Sequence, residues 1–136
     1  MLTYLLVALG GALGSVTRFW FGGLIANHSD KLFPWGQTFP WGTLVVNITG
    51  SFVIGFFATL TGPDGRWLLS SNMRTFFMVG ICGGYTTFSS FSLHTLELAR
   101  GGDWFKAGAN CVLSLVLCLL AVWLGYVLAM KMNSLK

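Results

Sequence analysis

Charged side chains are scarce in this sequence. Only eight Lys or Arg and four Asp or Glu stand among 136 residues, 9% of the chain, whereas about 25% is usual in soluble domains. This composition argues against a soluble enzyme. The two histidines, His28 and His94, also have no acid or nucleophile at a spacing typical of catalysis, so we expect no enzymatic activity.

Cysteines are few, and charges of one sign are not clustered. Cys82, Cys111 and Cys118 are odd in number and lie in uncharged stretches, where a thiol behaves as a small apolar group, so they indicate neither a disulfide framework nor a metal site. The net charge is +4, but the basic residues are spread along the chain rather than gathered on one face. This spread argues against nucleic-acid binding.

Long uncharged stretches are what the sequence does have, at 1–17, 19–29, 32–63, 75–96 and 107–130. A helix of about 20 residues crosses the hydrocarbon core of a bilayer. We therefore predict an all-α integral membrane protein, a single membrane domain over 1–136 with helices near residues 3–25, 40–61, 73–98 and 106–130. A cleaved signal peptide is the alternative for the first helix, but only the terminal amine supplies positive charge ahead of Leu5.

The basic residues are balanced between the two sides of such a protein. One side would carry Arg66, Arg74, Lys131 and Lys136, and the other Arg18, Lys31, Arg100 and Lys106. The second count falls to three if Arg18 lies within the membrane. Orientation follows the difference in Lys and Arg between the sides, so neither orientation is specified. The sequence allows dual topology, with two inverted copies forming a dimer; the alternative is a weakly biased protein oriented by its partners.

Small residues form a stripe on the first helix, where Gly10, Gly14, Arg18 and Gly22 recur every four positions. Small residues let helices approach closely in a membrane, so the stripe predicts a packing surface. An arginine at membrane depth costs about 2.5 to 3.5 kcal/mol on insertion scales. Arg18 is therefore expected either to face water, an anion or protein polar groups, or to snorkel to the interface.

Polar residues recur every four positions on the second and fourth helices, as Thr43, Asn47 and Ser51 and as Asn110, Ser114 and Cys118. An amide in hydrocarbon needs hydrogen-bonding partners. These rows predict either packing between helices or a polar track for a passing solute.

The third span contains Gly80, Gly83 and Gly84 followed by runs of Thr and Ser. Glycine and hydroxyl residues are poor helix formers, so we expect the helix to break between Gly83 and Ser89. Broken helices persist at membrane depth only where they are buried or line a wet cavity, and their freed carbonyls can bind ions. Phe88 and Phe91 would share a face, where the positive ring edges could stabilise an anion; aromatic packing is the alternative.

Three segments in order, at 14–19, 42–52 and 83–91, resemble motifs of the Fluc (CrcB) family of fluoride channels. The resemblance covers nearly the whole chain. It implies a dual-topology antiparallel homodimer with two pores in a cell membrane, the bacterial inner membrane, that exports fluoride passively. Export would counter weak-acid trapping, in which neutral HF enters the cell and dissociates inside.

The same resemblance assigns roles to particular residues. Pore-lining roles fall on Asn47, Phe88 and Phe91, polar-track roles on Ser89, Thr43 and Ser114, and a vestibule role on Arg18. The Gly83 and Thr86 carbonyls, with those of a second subunit, would hold a structural sodium ion at the dimer interface. The chain departs from the family at Ser90, where threonine is frequent, and at Asn110, where tyrosine is common; of two Phe-Pro-Trp-Gly copies, at 33–36 and 39–42, the second aligns.

Two other functions fit four short spans. A small proton-coupled multidrug exporter needs a carboxylate in the membrane, and Glu97, near the end of the third span, is the sole candidate. A non-transporting membrane scaffold would give no ion flux from the purified protein.

Overall fold

The computed structural model describes residues 1–32 and 38–135, apart from the side chains of Asp30 and Leu32. Over these ranges the chain is helical and contains no strand. Four helical stretches are long and apolar enough to cross a membrane, at Leu2–Ser29, Trp41–Leu60, Ser71–Arg100 and Trp104–Ser134. The prediction of an all-α, multi-pass membrane protein is confirmed.

The third span consists of several helical pieces. It begins with α3 (Ser71–Thr75), whose first turn is capped by the Ser70 hydroxyl, continues as a π-helix (Phe76–Cys82) and ends its first half with α4 (Gly83–Tyr85). Thr86 and Thr87 are extended, with φ/ψ of −80°/157° and −152°/111°, and α5 (Phe88–Arg100) follows. The predicted break between Gly83 and Ser89 is confirmed, and it occupies two threonines rather than the glycines.

The other helices are α1 (Leu2–Leu32), α2 (Trp41–Leu60) and α6 (Trp104–Ser134). Helices α1 and α6 continue past the ends expected near residues 25 and 130, because hydropathy marks where a helix leaves the membrane and not where it stops. Residues 24–32 contain neither Gly nor Pro, so nothing in them ends the helix. The Phe-Pro-Trp-Gly copy at 33–36 lies outside the described residues.

Glycines set how closely the helices approach. A Cβ on Gly10 would lie 2.9 Å from Gly80 Cα, and one on Gly14 would lie 2.8 Å from Tyr85 N. A Cβ on Gly42 would overlap the Gly22 carbonyl. The glycine stripe is therefore a packing surface, as predicted, with its first two members against the third span and Gly22 against α2.

Helices α2 and α6 form the other close pair. A Cβ on Gly55 would lie 2.8 Å from Val122 Cγ2, and one on Gly125 would lie 2.8 Å from Phe56 N. The same pair is joined at its end by Asn133, which donates to the Thr59 carbonyl at 3.3 Å and accepts from Arg66 N at 2.9 Å. This packing fixes α2 as the rigid element that carries Asn47 to the break.

Candidate functional site

The side-chain amide of Asn47 forms hydrogen bonds to the break in the third span through both its oxygen and its nitrogen. Its Oδ1 accepts from Thr87 N at 2.8 Å, and its Nδ2 donates to the Thr87 carbonyl at 3.1 Å. The Thr87 hydroxyl in turn accepts from Ser90 N at 3.1 Å and caps α5. One side chain of α2 thus stabilises the extended conformation at membrane depth, where an unbonded backbone group is costly.

These bonds redirect two donors that a continuous helix would use on other carbonyls. In an α-helix, Thr87 N would donate to the Gly83 carbonyl and Ser90 N to the Thr86 carbonyl. Here Thr87 N donates to Asn47 and Ser90 N to the Thr87 hydroxyl. The Thr86 carbonyl accepts instead from Arg18 Nη1 at 3.4 Å. The break therefore turns two carbonyl oxygens away from helical bonding.

A cavity of about 550 Å³, here called the Asn47 cavity, lies beside the break. Sequence-predicted residues in its wall are Asn47, Gly83, Thr86, Phe88, Phe91 and Ser114, and Thr87, Cys111 and Cys118 line it as well. The Asn47 amide carries two hydrogens, and among the described residues only Thr87 takes one of them. A donor is thus left in the wall of the cavity.

Phe88 and Phe91 begin α5 and contact each other. Their ring centroids are 5.2 Å apart with an interplanar angle of 50°, so the rings are tilted rather than stacked. Phe88 is 79% exposed and Phe91 is half-buried. The first turn of α5 also directs the positive end of its helix dipole toward the break. Ring edges and backbone dipole together make this wall favourable for an anion.

A second cavity, of about 850 Å³, lies on the other side of Thr87 and is here called the Arg18 cavity. Arg18 and Thr43 line it, with Ser90, His94 and Glu97 of α5. The ion pair found in the described chain joins Lys106 to Asp103 at 3.1 Å, and no carboxylate of that part lies within 4.0 Å of Arg18. The guanidinium is therefore a cation in a cavity wall that forms no direct ion pair in the described chain, and it bonds to the break.

Thr87 lines both cavities, so the two predicted groups of residues meet there. Asn47, Phe88, Phe91 and Ser114 lie on one side, and Arg18 and Thr43 on the other. Ser89 lines neither cavity; it is exposed, and its hydroxyl lies 3.2 Å from the Thr87 hydroxyl. In the described chain, Ser89 therefore lies in no cavity wall that would support its predicted role in the polar track.

Sequence reasoning did not single out two residues of the site, Thr87 and Thr95. Thr87 could have been recognised because threonine is a preferred N-cap residue at a helix start. The buried Asn110, 2% exposed, donates to the Thr95 hydroxyl at 2.8 Å, and Thr95 donates to the Phe91 carbonyl at 2.8 Å. Asn110 therefore links α6 to α5 behind the phenylalanines, and Ser114 donates to it at 3.5 Å.

Comparison with known proteins identifies the family. The family model described as "CrcB-like protein, Camphor Resistance (CrcB)" matches residues 5–126. The chain belongs to the CrcB family. That range includes the whole break, Asn47 and both cavities.

Relatives within the CrcB family are similar over their full length. A protein of Opitutus terrae named fluoride-specific ion channel FluC is 62% identical over 136 residues, covering 100% of this chain and 98% of that protein. A protein of the same name from Rhodospirillum rubrum is 62% identical over 133 residues, covering 98% of each. A third, from Paramagnetospirillum magneticum, is 60% identical over 133 residues, covering 98% and 99%.

Proposed function

We propose that this CrcB-family protein is a fluoride-selective channel that lets fluoride leave the cytoplasm passively. The observation that carries the proposal is the Asn47 cavity, which places an amide donor, two phenylalanine edges and a buried hydroxyl beside a broken transmembrane helix. The relatives named as fluoride channels support the choice of fluoride. They lend no support to the multidrug exporter, the alternative function.

Selective conduction follows from the chemistry of these groups. Fluoride is small and strongly hydrated, so several closely placed donors must replace its water. The Asn47 amide and the ring edges of Phe88 and Phe91 offer such replacement without a fixed positive charge that would hold the ion too tightly. The Ser114 hydroxyl joins them when its single hydrogen turns from Asn110 toward the ion. Arg18 and Thr43, on the other side of Thr87, would attract the anion and receive it while it is still hydrated.

The functional unit we propose is an antiparallel homodimer. Phe88 lines the Asn47 cavity, and it is 79% exposed in the single chain. A second, inverted copy would cover the ring and complete the pathway, and the balance of basic residues permits both orientations. Lipid surrounds the remaining apolar surface in this arrangement.

A structural sodium ion at the centre of the dimer is compatible with the break. Carbonyl oxygens are suitable ligands for a hard cation, and broken membrane helices supply them. The donors that would close the helix on Gly83 and Thr86 are bonded elsewhere. The Thr86 carbonyl already accepts from Arg18 but has a second lone pair. Two carbonyls from each of two copies would hold the ion and fasten the subunits together.

The sodium proposal predicts a cation requirement for assembly. Replacing sodium by N-methyl-D-glucamine, which is too large for a site between carbonyls, is expected to lower the dimer fraction measured by light scattering and to reduce fluoride efflux. Thr86→Ser retains the backbone carbonyl and a hydroxyl, so the variant is expected to keep the sodium dependence. An unchanged dimer fraction and efflux in the sodium-free buffer would contradict this assignment.

Ion efflux from liposomes tests the channel itself. Purified protein is reconstituted in vesicles loaded with potassium fluoride or potassium chloride, and valinomycin is added so that potassium can follow the anion. We expect rapid fluoride efflux at an ion-selective electrode and slow chloride efflux, with protein-free vesicles as the control. Absence of fluoride efflux would favour the non-transporting scaffold.

A further inference from the structure

His94 lines the Arg18 cavity, next to the proposed pore, and has no role in the function proposed above. It is half-buried on α5, and its Nδ1 lies 3.1 Å from the Thr43 hydroxyl on α2. Both residues line the Arg18 cavity. The contact joins the same two helices that Asn47 joins at the break.

The position of His94 follows from helical spacing. Thr43 precedes Asn47 by four residues on α2, so it lies about one turn before Asn47. His94 follows Phe91 by three residues on α5, so it lies about one turn after Phe91. Asn47 and Phe91 line the Asn47 cavity, whereas Thr43 and His94 line the Arg18 cavity. The Thr43 and His94 pair is therefore one turn outside the proposed selective region.

We infer that Thr43 and His94 form an anion-binding station in the Arg18 cavity, and that protonation of His94 strengthens it. The inference rests on the proposed function, and its ligand is fluoride entering or leaving the pathway. A neutral imidazole has one N–H, and its Nδ1 either donates to the Thr43 hydroxyl or accepts from it. An imidazolium has two N–H donors and a positive charge. One donor then bonds to Thr43, and the other is available to an anion.

The charged groups around His94 fit such a station. Arg18 faces the cavity from α1, Glu97 from the next turn of α5 and Asp103 from the turn before α6, while α2 contributes no charge there. Lys106 of α6 is held by Asp103 at 3.1 Å. Arg18 is charged at every working pH. Protonation of His94 therefore adds a second positive charge beside one already present, and the cavity becomes more attractive to anions.

Acid-enhanced conduction is the expected result. Neutral HF enters cells most readily from acidic surroundings, which is also the condition that protonates a histidine between about pH 5 and 8. One added unit charge a few ångströms from an anion in water changes its local concentration by about fivefold. At fluoride concentrations below saturation, efflux is expected to rise by about that factor between about pH 8 and about pH 5.5.

The test measures fluoride efflux at symmetrical pH, with the HF leak of protein-free vesicles subtracted. We expect a ratio near five between the two pH values for the original protein and near one for His94→Gln, which keeps an amide donor but does not titrate. His28→Gln is the matched control, because His28 is exposed and bonded to the Leu24 carbonyl of its own helix at 3.0 Å; it is expected to keep the full ratio.

Two results would overturn the station. Efflux of the original protein that does not change with pH, or a pH response that survives in His94→Gln, would show that His94 is not the responsible group. If His94→Gln is not recovered as a folded dimer, His94→Asn replaces it. No fluoride efflux at any pH would instead contradict the proposed function.

Discussion

At the scale of single residues, Asn47 combines a structural role at the break with a proposed role in the fluoride pathway. Its amide fixes the backbone of Thr87, with bonds of 2.8 Å and 3.1 Å, and it also lines the cavity proposed for fluoride. The sequence predicted an intramembrane amide that needed partners. It could not identify Thr87 as the partner, because that contact depends on how α2 meets the third span.

Asn47→Asp separates these roles in part. The carboxylate still accepts from Thr87 N but cannot donate to the Thr87 carbonyl, and it places a negative charge in an anion pathway. We expect fluoride efflux to fall at least about tenfold, equivalent to about 1.4 kcal/mol of barrier, while the dimer still elutes as a single species. Asn27→Asp, the same change at an exposed position of α1, is expected to conduct normally; equal efflux from both variants would assign Asn47 to packing.

Phe88 and Phe91 give a second residue-scale prediction. Phe88→Ile and Phe91→Ile keep an apolar side chain but remove the polarised ring edge, so each is expected to lower efflux at least about tenfold. Phe88 is 79% exposed in the chain, so its replacement should not unfold it. Phe105, 89% exposed at the start of α6, provides the control variant Phe105→Ile. Near-native efflux from both pore variants would show that the two rings serve aromatic packing and not conduction.

At the scale of elements, composition predicted the number of helices and the region of the break but not its exact form. Gly83 and Gly84 indicated a weak helix, yet both are helical, and the extended residues are Thr86 and Thr87. The Asn47 amide and the Thr87 cap supply the bonds that make extension favourable at that point. The π-helix from Phe76 to Cys82 also follows from tertiary packing, since it lies where Gly10 and Gly14 admit the third span against α1.

The glycine stripe provides the element-scale prediction. Gly14→Ala places a Cβ 2.8 Å from Tyr85 N, and backbone cannot rotate away as a flexible side chain can. We expect a loss of about 1 to 3 kcal/mol in stability, seen as a lower thermal transition of the detergent-solubilised protein. Gly23→Ala on the same helix has open space around the new Cβ and is expected to be neutral or slightly stabilising, because alanine is the better helix former. Equal transitions for the two variants would contradict the packing described for α1.

At the scale of the whole molecule, the charge balance matters more than any single contact. Because Arg18 bonds to the break at membrane depth, four basic residues on one side stand against three on the other, and neither orientation is clearly specified. The sequence predicted four spans, and this number determines on which side of the membrane each loop residue lies. Neither the sequence pattern nor a single chain specifies how two copies pair, because the surfaces that would meet are exposed in each copy alone.

Dual topology has a direct test. A cysteine is introduced by Asp64→Cys, in the exposed turn between α2 and α3, after Cys82, Cys111 and Cys118 have been replaced. A membrane-impermeant thiol reagent is then added to one side or to both. We expect about half of the molecules to react from each side, since Asp contributes little to orientation. Reaction from a single side would rule out the antiparallel dimer.

The size of the Arg18 cavity has an electrical consequence. A volume of about 850 Å³ corresponds to roughly 28 molecules of liquid water at about 30 Å³ each. A water-filled space of that size conducts far better than the break at Thr87, which lies between it and the Asn47 cavity, so little of the membrane voltage would fall across it. Most of the voltage would act on the stretch beside Thr87 and Asn47. Under the proposed function, fluoride would therefore cross the Arg18 cavity at nearly constant potential and do its electrical work at the break.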